Sequence, residues 1–255
     1  MQDRYVADLG DFGKYGLLKV LSSPLEPRSR LCLGVVWYLV PDESHTTDGS
    51  RIGYLSLSGH GAAYFRDCDP ALYDALGKLV SSGRRNVGSV GVSAVLPHGT
   101  VFFREPLTFQ GVPRDEKART KFRAAWLASA CRATAKCDLV FLDPDNGFGG
   151  TIGPHRNHGV KYAYPSEAAA FLNRGQAVVV YHHIGRQGTA RDQIARQFRH
   201  FSAGRGRSLF ALLYHRGTAR AFFVIEPRGG NHRLLDRVKT MLSGPWSRHF
   251  ELVTP

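Results

Sequence analysis

The chain has few cysteines and no long apolar run, and each scarcity excludes a class of protein. Its four cysteines among 255 residues show no C-x-x-C spacing, which argues against a disulfide framework or a zinc site and predicts reduced, structural thiols. No run of about 18 apolar residues occurs, so no membrane-spanning helix is expected. The first residues lack the basic-then-apolar pattern of a signal peptide. The sequence therefore predicts a soluble, cytoplasmic protein.

Acidic residues are outnumbered by basic ones. There are 34 Lys and Arg against 21 Asp and Glu, a formal net charge of +13. Basic proteins often bind polyanions, since each neutralised phosphate releases counterions. The basic residues within 84–85, 114–123 and 204–207 are spread along the chain, which favours a folded basic face over a disordered arm. We therefore expect nucleic acid, either RNA or DNA, as the partner; an arginine-rich proteome is the alternative source of this composition.

Apolar runs and amphipathic segments alternate without internal repeats, which predicts one α/β domain over residues 1–255. Strands are predicted at residues 30–40, 87–96, 100–104, 138–142 and 176–181. Helices are predicted at residues 9–22, 70–81, 115–135, 166–174, 189–202 and 231–242, with Asp11 leading the first and Ser166 capping the fourth. Two final strands, at residues 208–214 and 219–226, form a β-hairpin. This order predicts a Rossmann-like, mostly parallel sheet with helices on both faces and a C-terminal antiparallel hairpin.

The most informative segment is the end of the strand at residues 138–142, where four apolar residues run into Asp143-Pro144-Asp145-Asn146. Such a run predicts a buried parallel strand whose carboxyl end presents two carboxylates and an amide. In open α/β sheets, ligands bind beyond the carboxyl ends of the strands. We therefore expect these four residues to form the centre of a site, with residues 44–66 passing over the strand ends.

A second strand end carries paired histidines, His182 and His183. Adjacent side chains of a strand point to opposite faces, so we expect only one of them to reach a cleft beside Asp143. Arg186, in the glycine-flanked loop that follows, is suited to binding a phosphate. Lys161 lies in a loop that could cover the site, and we count it among the candidate substrate contacts.

These segments resemble class I S-adenosylmethionine-dependent methyltransferases, and more closely the bacterial ribosomal RNA large-subunit adenine-N6 methyltransferases of the RlmJ type. Residues 10–15, Gly-Asp-Phe-Gly-Lys-Tyr, are similar to the family's opening Asn-Ala-Asp-x-x-Lys-His helix. Residues 143–146 are similar to its Asp-Pro-Pro-Tyr motif. The resemblance implies that Asp143 and the Pro144 carbonyl accept hydrogen bonds from the amino group of a flipped-out adenine. It also implies that Asn146 orients the base and that Phe148 is the candidate for stacking on it.

The resemblance further implies S-adenosylmethionine as the cofactor. Lys14 would then lie near the methyl donor or a phosphate, and Asp42 or Glu43 would bond a ribose hydroxyl. Tyr15, the last residue of the opening helix motif, and Trp37, in the first predicted strand, complete the set of residues expected around the donor.

Two alternatives use the same residues. Asp143, Asp145 and His183 are oxygen and imidazole ligands of the kind that hold Mg²⁺ or Mn²⁺ for phosphodiester cleavage by a metal-dependent nuclease, and an Asp-x-Asp turn also serves glycosyl transfer. The segment from Trp37 to Glu43 stands where methyltransferases have a glycine-rich turn. A non-catalytic nucleic-acid-binding protein on a methyltransferase-like fold is therefore the third interpretation. Donor binding and metal-dependent cleavage would separate the three.

Overall fold

A computed structural model describes residues 1–24, 30–43, 48–149, 152–201 and 208–255. The strands are β1 Leu33–Trp37, β2 Val101–Phe103, β3 Leu139–Asp143, β4 Gly147–Phe148, β5 Tyr162–Ala163, β6 Ala177–His183, β7 Leu209–Tyr214, β8 Arg220–Ile225 and β9 Phe250–Val253. The helices are α1 Leu9–Ser22, α2 Gly59–Arg66, α3 Pro70–Ser81, α4 Val87–Val92, α5 Glu116–Ala133, α6 Pro165–Leu172, α7 Ala190–Phe201 and α8 Leu234–Leu242.

Seven strands form one mixed sheet in the order β2-β1-β3-β6-β8-β7-β9, and β4 pairs with β5 separately. The strands β2, β1, β3 and β6 are parallel to one another. The hairpin inserts β8 antiparallel between β6 and β7. The predicted Rossmann-like α/β class, with its mostly parallel sheet and closing hairpin, is confirmed. The sequence did not predict β9, which adds a second antiparallel strand beside β7.

Helices cover both faces of the sheet, as predicted. On one face, residues of α1, α3 and α8 pack against β1, β3 and the hairpin in a first apolar cluster. On the other face, residues of α5, α6 and α7 form a second cluster. The strands read as uninterrupted apolar runs because both of their faces are buried. None of the helices described is long and apolar enough to span a membrane.

One predicted strand is wrong: residues 87–92 of the predicted 87–96 segment form the short helix α4. The Asn86 side chain accepts a hydrogen bond from the Ser89 backbone N–H at 2.9 Å and so caps the helix. Val87 and Val90, three residues apart, are buried on one side, whereas Val92 is 88% exposed. The valines therefore follow helical spacing, and the cap determines the structure where apolar content alone suggested a strand.

The predicted bounds of helix α1, residues 9–22, are confirmed, but the residues predicted to lead helices α1 and α6 are wrong. Helix α1 is capped by Asp8, whose carboxylate accepts from the Gly10 backbone N–H at 2.8 Å, so Asp11 lies inside the first turn. Helix α6 begins at Pro165 rather than at a Ser166 cap, and the Glu167 carboxylate accepts from the Tyr164 backbone N–H at 3.0 Å. In both helices an acidic side chain, and not the predicted cap, accepts a hydrogen bond from a backbone N–H at the start of the helix.

Helix α1 lies close against the antiparallel half of the sheet because glycines stand at two points of contact. A Cβ atom on Gly13 would stand 2.5 Å from the Tyr214 ring, and one on Gly10 would stand 1.7 Å from the Arg220 guanidinium. These close approaches fix the rotation of the helix. They place Lys14, next to Gly13, over the carboxyl ends of the parallel strands.

Candidate functional site

A cleft of about 460 Å³ opens at the carboxyl edge of the sheet. Its size is in the range of sites for small molecules and nucleotides. Several parts of the chain line it: the start of α1, residues 48–51, the turn after β3, the residues at and after the end of β6, and residues 218–220 before and at the start of β8. Residues 44–66 were expected to pass over the strand ends, and residues 48–51 of this segment line the cleft. Residues 59–66 form helix α2 instead, and residues 44–47 lie outside the described part of the chain.

Lys14 and Asp143 join the two segments on which the family resemblance rests. The Lys14 ammonium lies 2.9 Å from Asp143 Oδ2 and 2.7 Å from Asp11 Oδ1. The three side chains are at most 5% exposed. Burial acts to lower the pKa of Lys14, but the two carboxylates outweigh it and raise that pKa above its ordinary value. Lys14 is therefore a permanent cation in the floor of the cleft.

Asp11 is held by the helix that carries it. Its Oδ2 accepts from the Tyr15 hydroxyl at 2.9 Å and from the Ala7 backbone N–H at 3.2 Å. Burial raises the pKa of Asp11 although Lys14 and Tyr15 oppose that shift. The Asp11–Lys14–Asp143 cluster is thus buried, and Lys14 pairs with both carboxylates.

Asp145 is tied to the wall of the site rather than aimed into the cleft as a free acid. Its Oδ2 accepts from the Gln2 amide at 3.1 Å and lies 3.4 Å from the Lys161 ammonium, while Oδ1 lies 3.5 Å from the Met1 amino group. Burial acts to raise the pKa of Asp145, but the Met1 amino group, Gln2 and Lys161 together lower it. The carboxylate is ionised and its charge is compensated.

Gly147 turns the chain sharply after Asn146. Its φ is +112°, and a Cβ there would stand 2.6 Å from the His182 Cα, so only glycine fits. The turn carries Phe148 away from the cleft: its ring is buried and packs 4.6 Å, centroid to centroid, from Phe201. Phe148 was the candidate for stacking on a base, and the structure places it in the core on the other face.

The paired histidines point to opposite sides of β6. His182 is buried, and its Nδ1 accepts from the Phe148 backbone N–H at 3.0 Å. Burial, with His183 beside it, lowers the pKa of His182 to about 4. His183 lines the cleft beside Asn146, whose carbonyl accepts from the His183 backbone N–H at 3.2 Å. Partial enclosure and Arg220 lower the pKa of His183, so the imidazole facing the cleft is neutral at pH 7.

The residues expected around the methyl donor do not form a binding site. Tyr15 and Trp37 are fully buried in the core. Glu43 bonds Lys161 at 2.5 Å and the Gln2 amide at 3.3 Å, and Asp42 accepts from the Arg4 backbone N–H at 3.4 Å. Of this set, only Lys14 lines the cleft.

The carboxyl end of β1, where that donor was expected, is covered by the first residues of the chain. The Met1 amino group donates to the Tyr38 carbonyl at 2.8 Å, and the Val40 backbone N–H donates to the Met1 carbonyl at 3.0 Å. Gln2 is fully buried between this strand end and Asp145. The residues present therefore do not fit S-adenosylmethionine at the position that the resemblance implies.

The residues proposed for Mg²⁺ or Mn²⁺ do not fit a metal either. Asp143 is paired with Lys14, and Asp145 is paired with Lys161. Within the described ranges, no group of three or more His, Cys, Asp or Glu side chains is placed to hold a metal ion. A lysine ammonium occupies the carboxylate face that a cation would need.

The sequence missed the basic side of the cleft. Arg220, at the start of β8, and Arg51 line it together with the predicted Arg186. Burial acts to lower the pKa of Arg220, while neighbouring Tyr181 and Asp8 raise it above its ordinary value. The residue follows the polar hairpin turn directly, and the pairing of the hairpin with β6 is what brings it to the cleft.

Two arginines within the basic segments have structural roles, although Arg84, Arg114, Lys117 and Lys121 of the same segments are exposed. Arg85 donates to the carbonyls of Val6, Arg4 and Gly49 and so fastens the opening residues to the 48–51 segment. Arg123 is 5% exposed and is paired with Glu167 at 2.7 Å. Residues 204–207 lie outside the described part of the chain.

Comparison with protein-family models finds no match, and comparison with curated proteins finds no matching relative. The function must therefore be argued from the site itself.

Proposed function

We propose that the protein binds nucleic acid on a methyltransferase-like fold and receives the amino group of an exposed adenine in the cleft, against Asp143. The observation that carries this proposal is the Lys14–Asp143 ion pair at 2.9 Å. It unites, at the carboxyl edge of the sheet, the two short motifs that resemble an adenine-N6 methyltransferase. Sites of open α/β sheets lie at this edge.

The turn after β3 supplies hydrogen-bond acceptors for an amino group. Asp143 is the carboxylate of the site, and Pro144 and Asn146, which line the cleft with it, carry a backbone carbonyl and a side-chain amide. An exocyclic amine has two N–H donors, which a carboxylate and a carbonyl can satisfy together. Lys14 fixes the Asp143 side chain by bonding Oδ2, so the carboxylate is already oriented before a base arrives.

The rest of the protein supports a polyanionic partner. The net charge of +13 favours nucleic acid over a neutral small molecule, and Arg51 and Arg186 are exposed at the cleft. An adenine inside a duplex would have to leave its stack to reach Asp143, whereas a single strand presents it directly. We also propose that the protein acts in the cytoplasm, as its sequence leads us to expect.

The reaction that follows base binding defines two candidate functions. The first is methylation of the amino group, which requires a donor site formed by residues other than those expected at β1. The second is a non-catalytic nucleic-acid-binding protein, and the coverage of the β1 end by Met1 and Gln2 favours it. Calorimetric titration with S-adenosylmethionine separates the two, because only the methyltransferase binds the donor.

A double-mutant cycle tests the contact with the base. Single-stranded oligonucleotides would carry one adenine, or one purine that lacks the amino group, within a pyrimidine run. For the wild-type protein we expect the adenine strand to bind about tenfold more tightly, the effect of one charge-assisted hydrogen bond. In Asp143→Asn this preference should fall to about twofold or less.

Asp138→Asn is the matched control for that cycle. Asp138 accepts from the Cys32 backbone N–H at 2.8 Å, ahead of β3 and so at the opposite edge of the sheet. The variant should keep the full preference for adenine. Equal binding of the two strands by the wild-type protein, or an unchanged preference in Asp143→Asn, would reject the proposed contact.

A further inference from the structure

Arg220 is a buried cation in the cleft with an unused donor. Its side chain is 12% exposed. Its Nη2 donates to the Thr218 hydroxyl at 3.1 Å. Its Nη1 is buried, and no described residue accepts a hydrogen bond from it. A buried donor without a partner costs free energy, so the position of Arg220 at the cleft is not explained by stability alone.

The nearest carboxylate compensates the charge of Arg220 without satisfying this donor. Asp8 Oδ1 lies 3.5 Å from Arg220 Nη2. The Asp8 carboxylate is already used by backbone donors: Oδ1 accepts from Gly10 N–H at 2.8 Å, and Oδ2 accepts from Arg51 N–H at 3.2 Å. Asp8 therefore makes the burial of the guanidinium tolerable.

Other donors converge on the same side of the cleft. The exposed side chains of Arg51 and Arg186 line it, together with the hydroxyls of Ser50 and Thr218. The carboxylates Asp11 and Asp143 lie instead around Lys14 and are paired with it. The cleft thus has a donor side near β8 and an acceptor side at the turn after β3.

We propose that the donor side, centred on Arg220, is a subsite for the phosphate of the nucleotide whose base lies against Asp143. This inference rests on the proposed function. The planar guanidinium fork suits paired hydrogen bonds to phosphate oxygens. In the sheet, β6 alone separates β3 from β8, so the two sides are about 10 Å apart at strand spacing. The sugar of a nucleotide connects a base and a phosphate over a span of this order.

Calorimetric titration with adenosine, adenosine 5′-monophosphate and inorganic phosphate tests the subsite. For the wild-type protein we expect the monophosphate to bind at least about tenfold more tightly than adenosine, because charge-assisted hydrogen bonds have that effect. In Arg220→Gln the gain from the phosphate group should fall to about twofold or less. Adenosine itself should bind the variant as it binds the wild type.

Substitutions at two exposed arginines keep the subsite testable if the Arg220→Gln variant does not fold. Arg51→Gln and Arg186→Gln remove exposed guanidinium groups and should each reduce the gain from phosphate by about threefold, the smaller effect of a solvated contact. Arg174→Gln is the matched control. Arg174 is exposed in the turn before β6, at the opposite edge of the sheet, and its loss should leave the gain unchanged.

The outcomes separate the subsite from the proposed function. Phosphate or monophosphate binding that depends on Arg220, without adenosine binding, would support the subsite and reject the base contact. Equal affinities for adenosine and its monophosphate would overturn the subsite. A titration pair of S-adenosylhomocysteine and methylthioadenosine adds a further check. S-adenosylhomocysteine carries an amino-acid carboxylate that methylthioadenosine lacks. If Arg220→Gln weakens binding of S-adenosylhomocysteine and leaves the gain from the phosphate group unchanged, the assignment of the subsite to phosphate is wrong.

Discussion

The carboxyl ends of β1 and β3 lie side by side in the sheet and differ in one respect. At β1, the backbone groups of Tyr38 and Val40 bond Met1, and the side chain of Gln2 fills the space beside them. At β3, the chain turns at Asp143 and Pro144 and leaves a cleft of about 460 Å³ between α1, β6 and β8. The first strand end is completed by the protein itself, and the second is open to a ligand.

This difference shows that topology alone does not locate a site. A Rossmann-like sheet offers several carboxyl strand ends, and ligands bind where the polar groups of such an end remain available. Asp143 and Asp145 are only two residues apart in the sequence, and their carboxylates have different partners. Both residues line the cleft, but the Asp145 carboxylate is bonded to the residues that close β1, whereas the Asp143 carboxylate is bonded to Lys14 in the floor of the cleft. The predictions below disturb one strand end or the other.

The largest effect is expected from Lys14→Met in the floor of the open cleft. The substitution keeps the volume but leaves the Asp11 and Asp143 carboxylates buried without their cation. The free energy of unfolding should fall by about 3–5 kcal/mol, as for a broken buried ion pair. Urea denaturation at pH 7 measures the loss. The double variant Lys14→Met/Asp143→Asn should lose less than the sum of the two single variants, and strict additivity would contradict the buried-pair account.

Gly147→Ala should have the next largest effect, because it strains the turn that shapes the open strand end. The residue has a φ of +112°, and the new Cβ would meet the His182 backbone at 2.6 Å. We expect a loss of about 3 kcal/mol. Gly175→Ala is the control: its φ is +81°, but no atom lies within 4 Å of the added Cβ, so the cost should be about 1 kcal/mol. Equal losses in the two variants would show that the contact with β6 is unimportant.

Acid should destabilise the open strand end through His182. Burial, with His183 as its neighbour, lowers the pKa of His182 to about 4, from an ordinary 6.5. Between these values the unfolded chain binds the extra proton, so the free energy of unfolding falls as the pH drops from 6.5 to 4. The loss is at most about 3 kcal/mol. His182→Asn keeps an acceptor for the Phe148 N–H, and urea titrations should show a shallower decline across this window than in the wild type.

The smallest of these effects is expected at the closed strand end, from Gln2→Ala. The Gln2 amide donates to Glu43 at 3.3 Å and to Asp145 at 3.1 Å, and its oxygen accepts from the Glu43 backbone N–H at 2.9 Å. Removing it should cost about 1–2 kcal/mol while the adenine preference of the cleft is retained. A preference lost together with Gln2 would mean that the closed end takes part in base binding.

The sequence predicted the parallel core of the fold well because those strands are buried on both faces. The apolar runs at β3 and β6 have no polar alternation, and the hairpin has a short polar turn between two strands. It failed at residues 87–92, where apolar content suggested a strand but the Asn86 cap and the three-residue spacing of Val87 and Val90 produce a helix. It also missed β9, which is held by its pairing with β7.

For the site, the sequence located residues that end strands and missed those brought in by tertiary packing. Asp143, Asn146 and His183 follow or end core strands, so their arrival at one edge was predictable. Arg220 reaches the cleft only through the pairing of β8 with β6. Phe148 was misplaced because the left-handed φ of Gly147 and the bond from the Phe148 N–H to His182 redirect the chain. A one-residue change of direction cannot be read from the pattern.

The most direct test of the open and closed strand ends is photo-crosslinking with a single-stranded oligonucleotide that carries one 8-azidoadenine. Mass spectrometry of the digested complex would identify the attached peptides. The account predicts crosslinks within residues 143–146 and 183–186, competed by an unmodified adenine strand. Crosslinks confined to residues 37–43, or none that an adenine strand competes, would contradict it.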